Sequence, residues 1–414
     1  MTELETLGIS AGKAAAFLNR ADTEYKNKIL TAIADALCLK AEEIALANRL
    51  DLENAEANGV SEAMQDRLLF SKERIIASAQ GVQKVTELCD PVGDVMETIT
   101  RPNGLVIEKR RVPLGVVGII YEARPNVTVD TAALCIKASN AVILRGGKEA
   151  INTNKAIVKV MKEALKDVGA DENIIGFVTD TSRESANEMM RLKEYIDVLI
   201  PRGGAGLINA VVQNATVPVI ETGVGNCHIY VDKSADIEMA VDIIANAKMS
   251  RPSVCNACET VLIHKEVGSD FYDLLDRRFK EKDVKVYASR DILSKLTCVR
   301  EATPEDFATE FLDYAVSIKT VSGVSEAIEH ISKYSTKHSE CIVTDDKEAA
   351  DLFTACIDAA AVYVNASTRF TDGFEFGFGA EIGISTQKLH ARGPMGLKEL
   401  TGYKYIIKGN GQIR

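Results

Sequence analysis

Cys255 is the residue of this chain best suited to covalent chemistry. It lies in the run Ser250-Arg-Pro-Ser-Val-Cys-Asn-Ala-Cys258, and the run Glu221-Thr-Gly-Val-Gly-Asn226 begins 34 residues upstream of it. The thiolate is the reactive form of cysteine, and an ordinary thiol titrates near ~8.5, so a nucleophile needs a nearby cation or backbone dipoles to lower its pKa. Arg251 is a candidate for that cation. The alternative is an inert core thiol, because the chain has nine cysteines.

Cys255 and Cys258 form a single C-x-x-C pair. A zinc site would need a second pair or histidines at ligand spacing, and the sequence offers neither, so we predict no metal. A redox dithiol is the alternative to one working cysteine beside one bystander. The nine cysteines are scattered and odd in number, which favours a reduced, cytoplasmic setting.

Bulk composition limits the partners. A length of 414 residues predicts two or three domains. The net charge, 49 minus 60 or −11, argues against nucleic acid or an anionic membrane as the main partner. The sequence has no apolar run of the roughly 18 residues that a membrane span needs, and its first residues lack a basic, apolar leader. A phosphate-bearing substrate would therefore need a local basic pocket inside an acidic shell.

The elements that must position Cys255 are visible as patterns. Apolar residues at helical spacing fill 2–56, and Ser61 and Ser71 are placed as N-caps of two further helices. Alternating residues around Asn103-Gly104 predict a hairpin over about 98–112. Beyond it, short apolar strands alternate with helices in two series, which predicts an α/β fold with doubly wound parallel sheets. The predicted strands are 116–120, 141–144, 198–200, 228–231, 261–263, 341–343 and 361–364; the predicted helices are 152–168, 203–213, 236–247, 324–333 and 346–357.

Long and unusual motifs link the chain to a known family. Its order of elements resembles the aldehyde dehydrogenase superfamily, in which a Glu-x-Gly-type turn precedes the catalytic cysteine by a similar interval. Within it, the chain resembles the gamma-glutamyl phosphate reductase family over essentially its whole length. The motifs are Tyr121-Glu-Ala-Arg-Pro-Asn-Val-Thr128, Leu144-Arg-Gly-Gly147, Ile200-Pro-Arg-Gly-Gly204, Thr222-Gly-Val-Gly-Asn-Cys-His228, Tyr334-Ser-Thr-Lys-His-Ser-Glu340, Tyr363-Val-Asn-Ala-Ser-Thr-Arg-Phe-Thr-Asp372, Phe376-Gly-Phe-Gly-Ala-Glu-Ile-Gly-Ile-Ser-Thr386 and Ala391-Arg-Gly-Pro-Met-Gly-Leu397.

The resemblance implies a domain plan. It implies two doubly wound parallel-sheet domains of the aldehyde dehydrogenase type plus a small β oligomerisation element. N-terminal helices and an NADP-binding domain would span 1–222, with the hairpin at about 98–112 as the oligomerisation element. A catalytic domain with the nucleophilic cysteine would span 223–388, and 389–414 would return to the cofactor and oligomerisation side. A homo-oligomer, dimer or tetramer, is expected.

The resemblance also implies a reaction. L-glutamyl 5-phosphate would be reduced with NADPH to L-glutamate 5-semialdehyde and phosphate through a thioester on Cys255, the second step of proline biosynthesis. Negative charge develops on the former carbonyl oxygen, and one well-placed donor to it contributes roughly 2.7–4 kcal/mol. Asn126 matches the superfamily's side-chain donor, and the Cys255 backbone N–H would be the second. The alternative for Asn126 is the N-cap of a helix over 127–138.

Cofactor residues follow from the resemblance, because the sequence has no G-x-G-x-x-G after its first strand. Arg145 and Lys148 are expected to bind NADP(H), Lys148 standing near the Glu that holds ribose hydroxyls in NAD-preferring relatives. Gly203 and Gly204 would let a helix N-terminus approach the pyrophosphate. Glu310 falls where the family holds the nicotinamide ribose; its alternative is a solvated acidic residue.

Three arginines are candidates for binding the phosphate or the α-carboxylate of the substrate: Arg124, Arg251 and Arg369. Surface ion pairing is the alternative for each. Glu221 stands where hydrolytic relatives keep a general base. A working base there would hydrolyse the thioester, so we do not assign that role to it.

Two other functions stay open at this point. A coenzyme A-dependent acylating semialdehyde dehydrogenase would use the same Cys255 and Asn126, and phosphate dependence would separate the two. A catalytically silent nucleotide-binding interaction protein would lack a selectively reactive thiol. The upstream glutamate 5-kinase activity must come from a separate polypeptide, and direct handover of the acyl phosphate is left open.

Overall fold

The computed structural model describes residues 1–414, apart from the side chains of residues 62 and 63, and it divides into two compact units. Unit 1 comprises Met1–Thr222, Gly377–Gly383 and Met395–Arg414, and unit 2 comprises Gly223–Phe376 and Ile384–Pro394. The predicted tail boundary lies at 388/389, whereas in the structure 377–383 belong to unit 1 and 389–394 to unit 2.

Five helices open unit 1. They are α1 (Glu3–Leu18), α2 (Thr23–Leu39), α3 (Ala41–Ala57), α4 (Glu62–Leu68) and α5 (Lys72–Glu87). Their starts follow from local chemistry: the Asp22 side chain accepts from the Tyr25 N–H, and Ser71 accepts from the Arg74 N–H. Ser61 and Ser71 are N-caps as predicted. Among the described helices of the whole chain, none is both long and apolar enough to cross a membrane.

The predicted hairpin is present in unit 1 as β1 (Val95–Thr100) and β2 (Val106–Pro113), which pair antiparallel. Gly104 at the turn has a φ of 89°, in the left-handed region that glycine adopts without a Cβ penalty.

A four-stranded parallel sheet forms the centre of unit 1, in the order β5-β4-β3-β6. Every residue of the strands is buried or half-buried, which explains their continuous apolar runs. The three-residue β5 and the helix α8 were not predicted. The elements are β3 (Val116–Tyr121), α6 (Pro125–Lys137), β4 (Ala141–Arg145), α7 (Ile151–Asp167), β5 (Ile175–Phe177), α8 (Arg183–Arg191), β6 (Val198–Arg202) and α9 (Ala205–Asn214).

Unit 2 contains a seven-stranded parallel sheet in the order β10-β9-β11-β8-β7-β12-β13. Its elements are β7 (Cys227–Val231), α10 (Ile237–Met249), β8 (Cys258–His264), α11 (Ser269–Lys280), β9 (Lys285–Ala288), β10 (Val299–Glu301), α12 (Pro304–Phe307), β11 (Ala315–Val321), α13 (Val324–Tyr334), β12 (Ser339–Val343), α14 (Lys347–Cys356) and β13 (Ala361–Val364). The sequence patterns did not predict β9 to β11, α11 or α12.

Successive side chains of β7 pack into two different hydrophobic cores of unit 2. Ile229 and Val231 pack with α10 and α11, whereas Tyr230 packs with α13 and α14. Because successive strand side chains point to opposite faces, the sheet is covered by helices on both sides. The prediction of an α/β fold with two doubly wound parallel sheets is confirmed.

Three further strands complete the chain. In unit 2, β14 (Ile384–Ser385) pairs antiparallel with β15 (Gly393–Pro394). In unit 1, β16 (Thr401–Lys408) pairs antiparallel with β2, so the hairpin and the C-terminal strand make a three-stranded sheet.

Candidate active site

Cys255 lies in a turn between α10 and β8 in unit 2, and it is half-buried. The Ala257 N–H donates to the Val254 carbonyl at 3.1 Å and closes the turn around it. Cys258 is different: it is the first residue of β8, it is fully buried, and burial raises the pKa of its thiol. The C-x-x-C pair therefore places one thiol in a turn and the other inside the sheet, which favours one working cysteine beside a bystander.

Gly225 brings the upstream glycine run against Cys255. A Cβ added to Gly225 would overlap the Cys255 carbonyl group and lie 2.7 Å from its Cα, so a glycine is required there. The Gly225 N–H donates to Glu310 Oε1 at 2.7 Å. The buried Cys227 thiol donates a hydrogen bond to the Cys255 carbonyl oxygen at 3.2 Å. The peptide of Cys255 is thus held by neighbours that lie far from it in sequence.

Asn256, the residue after Cys255, anchors the turn through its side chain. It is buried, and its Nδ2 donates to the carbonyls of Arg369 at 3.2 Å and Thr371 at 3.0 Å. The Thr368 hydroxyl donates to the Asn256 carbonyl at 2.7 Å. Nothing in the local sequence of Asn256 marked it as an anchor, because all three partners lie more than 100 residues away.

The guanidinium group of Arg369 interacts electrostatically with the Cys255 thiol and with Arg251. Arg369 is half-buried; its Nη1 donates to Asn256 Oδ1 and its Nε to Ser250 Oγ at 3.3 Å. Burial lowers the pKa of Arg369, the charge of Arg251 lowers it further, and Cys255 raises it. Arg251 itself is exposed. This end of unit 2 is therefore locally basic although the chain carries a charge of −11.

Asn126 and Arg124 lie in unit 1, at the start of α6. The alternative role predicted for Asn126, as a helix N-cap, is wrong: α6 begins at Pro125, the N-cap is Arg124, and Asn126 is the second helical residue. Both Arg124 and Asn126 are exposed. Asn126 Nδ2 donates to Asp130 Oδ2 at 3.0 Å, one helical turn on. Burial raises the pKa of Asp130 to about 6, opposed by this hydrogen bond and by the charge of Arg202.

The glycine pair 203–204 forms the N-terminus of α9, as predicted, with Gly204 at the N-cap. The Gly204 N–H donates to Glu122 Oε2 at 2.8 Å, and a Cβ on Gly203 would lie 2.6 Å from the same oxygen. A carboxylate thus already sits at the helix end that suits a phosphate. The two glycines and the helix N-terminus are groups that a pyrophosphate could approach, and the Glu122 carboxylate would have to leave this position for it. Glu122 follows β3 inside a motif noted above, but its role was not predicted.

Arg145, the last residue of β4, and Lys148, which follows the strand, lie in different environments. Arg145 is half-buried, and its Nη2 donates to the carbonyls of Thr181 and Ser182, both at 2.7 Å. Burial lowers the pKa of Arg145, whereas Asp180 and Glu149 raise it. Lys148 is exposed at the start of a short 3-10 helix, Lys148–Ala150. Arg145 is largely committed to the backbone, so Lys148 is the better placed of the two for a ligand.

Glu310, in unit 2, is half-buried and accepts the Gly225 N–H as described. That contact ties the residue expected at the nicotinamide ribose to the loop against Cys255. Glu221 is half-buried in unit 1. Among the described side chains, no group of three or more His, Cys, Asp or Glu is arranged to hold a metal ion.

Comparison with known proteins agrees with the fold and the motifs. The sequence model of the aldehyde dehydrogenase family matches residues 5–294. The chain belongs to the aldehyde dehydrogenase family, whose enzymes use nicotinamide cofactors.

The gamma-glutamyl phosphate reductases are its relatives within that family. The protein of that name from Clostridium botulinum is 57% identical over 414 residues, covering 100% of both chains. The one from Heliobacterium modesticaldum is 58% identical over 413 residues, covering 100% of this chain and 99% of its own. The crystal structure of gamma-glutamyl phosphate reductase from Thermotoga maritima superposes with a TM-score of 0.97 at 49% identity, covering 100% of both. The chain belongs with these reductases, which confirms the resemblance inferred from its motifs.

Proposed function

We propose that this protein reduces L-glutamyl 5-phosphate to L-glutamate 5-semialdehyde and phosphate with NADPH, the second step of proline biosynthesis from glutamate. The observation that carries the proposal is full-length identity of 57–58% to proteins named for this activity. The half-buried Cys255 in a fixed turn supplies the nucleophile that such a reaction needs.

The first half of the reaction is acyl transfer to Cys255. Its thiolate attacks the acyl carbon, a C–S bond forms, the C–O bond to phosphate breaks, and inorganic phosphate leaves. Arg251 and Arg369 support this step, because guanidinium groups stabilise both a thiolate and a departing phosphate. The contact of Arg369 with Asn256 and Ser250 fixes that charge beside the nucleophile. Arg124, exposed in unit 1, remains a candidate for the substrate's α-carboxylate.

The second half is reduction of the acyl group held on Cys255. When bound, the nicotinamide of NADPH supplies the hydride. The Cys255 N–H and the Asn126 amide donate to the substrate oxygen as it gains charge in both addition steps. Breakage of the C–S bond then frees the semialdehyde and restores the thiolate. The hydrogen bond to Asp130 supports the role of Asn126, because it engages one of the two Nδ2 hydrogens and so fixes the orientation of the side-chain amide.

Five residues would contribute to cofactor binding. Lys148 would pair with the 2′-phosphate, which is supported by its exposure after β4. Arg145 would contribute mainly long-range charge, because its Nη2 is committed to backbone carbonyls. Gly203 and Gly204 would present the N-terminus of α9 to the pyrophosphate. Glu310 would accept from the nicotinamide ribose while keeping its bond to the Gly225 N–H.

A homo-oligomer, dimer or tetramer, is part of the proposal. It is supported by the outer strand β16, where Tyr403, Tyr405 and Ile407 are 54%, 53% and 61% exposed in the single chain. An apolar edge strand of this kind is normally covered by a partner. We place the enzyme in the cytoplasm, where thiols stay reduced, and leave open a handover of substrate from a separate glutamate 5-kinase.

One assay tests the function. Purified protein is mixed with glutamate semialdehyde, phosphate and NADP, and the absorbance of the reduced nicotinamide is followed. We expect reduction of NADP that depends on phosphate and is lost in Cys255→Ser. Dependence on coenzyme A instead of phosphate would favour the alternative acylating dehydrogenase. No turnover, with no thiol alkylated faster than the others, would indicate a silent nucleotide-binding protein.

A further inference from the structure

Lys248 and Glu259 bracket the segment that carries Cys255. Lys248 lies in the last turn of α10, and Glu259 is the second residue of β8, so the pair stands at the two ends of 250–257. Both side chains are 0% exposed, and Lys248 Nζ lies 2.7 Å from Glu259 Oε2. The two ends of the nucleophile's loop are therefore joined by a fully buried ion pair.

The same two side chains also hold a second segment. Lys248 Nζ donates to the Asp313 carbonyl at 3.1 Å, and the Leu312 N–H donates to Glu259 Oε1 at 3.4 Å. Leu312 has a φ of 55°, in the left-handed region that a leucine rarely adopts, so its conformation depends on such contacts. Two residues before it, Glu310 accepts the Gly225 N–H at 2.7 Å. The buried Lys248–Glu259 pair thus joins the ends of the loop that carries Cys255 and also binds the 312–313 backbone next to Glu310.

Stability alone is a weak reason for this arrangement. Moving two charges out of water is costly, and replacing a buried ion pair by packed apolar residues is often neutral or stabilising. Burial raises the pKa of Glu259, and the charge of Lys248 opposes the rise. A pair of apolar side chains could not make the hydrogen bonds to the backbone of 312–313.

We infer that the Lys248–Glu259 pair is a positioning device, which closes the base of the Cys255 loop and fixes the 310–313 segment to it. The inference rests on the proposed function for the role of Glu310 at the cofactor. Lys248 and Glu259 act through other residues, setting the geometry of the thiol and of the Glu310 carboxylate.

The test compares stability with reactivity in matched variants. Lys248→Met together with Glu259→Leu replaces the pair by apolar groups. Lys280→Met, which removes an exposed partner of Asp276 on α11, controls for loss of one lysine. Tm is measured for each variant. Alkylation by iodoacetamide is followed from pH 6 to 10 and is quantified on the Cys255 peptide by mass spectrometry. Peptide resolution is needed because four other cysteines are exposed: Cys38, Cys89, Cys298 and Cys356. kcat and the KM for NADPH are measured on the same samples.

We expect the double variant to melt near the wild-type temperature. Its Cys255 should be alkylated with a shifted pH profile, its kcat should fall about tenfold or more, and its KM for NADPH should rise, with Lys280→Met unchanged. Wild-type reactivity and kinetics in a folded double variant would overturn the inference. If that variant does not fold, Glu259→Gln decides, because it keeps the size but its single amide oxygen cannot replace both carboxylate oxygens, one of which accepts from Lys248 Nζ and the other from the Leu312 N–H. Wild-type values in Glu259→Gln would also reject it. Alkylation needs no substrate, so failure of the proposed function would be seen separately in the wild-type assay.

Discussion

Gly225 packs against the peptide of Cys255 so closely that no other residue fits. An added Cβ would overlap the Cys255 carbonyl group, which the Cys227 thiol contacts from another side at 3.2 Å. The backbone on both sides of this contact is fixed, so a clash there cannot be relieved by a flexible side chain.

Gly225→Ala should therefore displace the nucleophile's turn. We expect kcat to fall by at least tenfold and stability to fall by about 1–3 kcal/mol, as for overpacking of a tight site. Gly268→Ala is the control, because a Cβ at Gly268 meets nothing within 4 Å. Denaturant unfolding and turnover on the two variants make the comparison. Normal turnover in Gly225→Ala would mean that the position of the turn does not govern the chemistry.

Cys255→Ser should abolish reduction of the acyl phosphate while NADP(H) binding is retained, because an alcohol at neutral pH is a far weaker nucleophile than a thiolate. Cys258→Ser is the matched change, and it should keep most activity. The Cys258 thiol donates to the Thr260 carbonyl inside β8, a bond that a serine hydroxyl can also make. Turnover and cofactor titration on both variants provide the measurement. An essential Cys258 and a dispensable Cys255 would reverse the assignment.

Lys148→Glu should shift cofactor preference from NADP toward NAD, since a carboxylate repels the 2′-phosphate and can hold ribose hydroxyls. The quantity to compare is the ratio of kcat/KM for the two cofactors. Lys155→Glu, an equal charge change at an exposed site on α7, controls for the general effect of charge. An unchanged ratio in Lys148→Glu would place discrimination elsewhere, with Arg145 next to be tested.

Asn126→Ala should lower kcat by about 10²–10³ with little change in the cofactor Kd, as expected for loss of one oxyanion donor. Because Asn126 is the second residue of α6 and not its N-cap, the variant loses only one i to i+4 hydrogen bond, worth roughly 0.2–0.5 kcal/mol. kcat and Tm are measured on the same preparation. A clearly lower Tm with near-wild-type kcat would retire the donor role.

Asp130→Asn should change stability in a pH-dependent way. The pKa of Asp130 is raised to about 6 by burial, so the folded protein holds a proton that the unfolded chain releases near pH 3.8. The stability contributed by this group is fully present below pH 3.8 and is lost as pH rises through 6, because the buried carboxylate must then carry charge. Asn carries no charge at either pH. Its free energy of unfolding relative to wild type should therefore rise by about 1 kcal/mol from pH 5 to pH 8. A relative stability that falls over this range would contradict the raised pKa.

Local chemistry made part of the structure predictable. The caps at Ser61 and Ser71, the hairpin at Asn103-Gly104 and the alternation of apolar strands with helices depend on neighbours within a few residues. The strands β5, β9 and β10 were missed because elements of three or four residues carry too little periodicity. The seven-residue β11 was missed as well, and pairing with distant strands stabilises all four.

The sequence by itself determined the family and the α/β class, because motifs and periodicity are written along the chain, and it predicts Cys255 as the nucleophile. Only the tertiary structure decided which residues hold the Cys255 segment in place. Gly225 against Cys255, Asn256 against Arg369 and the buried pair of Lys248 with the 312–313 backbone all join residues separated by 30 or more positions. The first and third of these contacts follow from the position of β8 between β7 and β11 in the sheet. Strand order is set by the burial of whole faces, and no local pattern in the sequence encodes it.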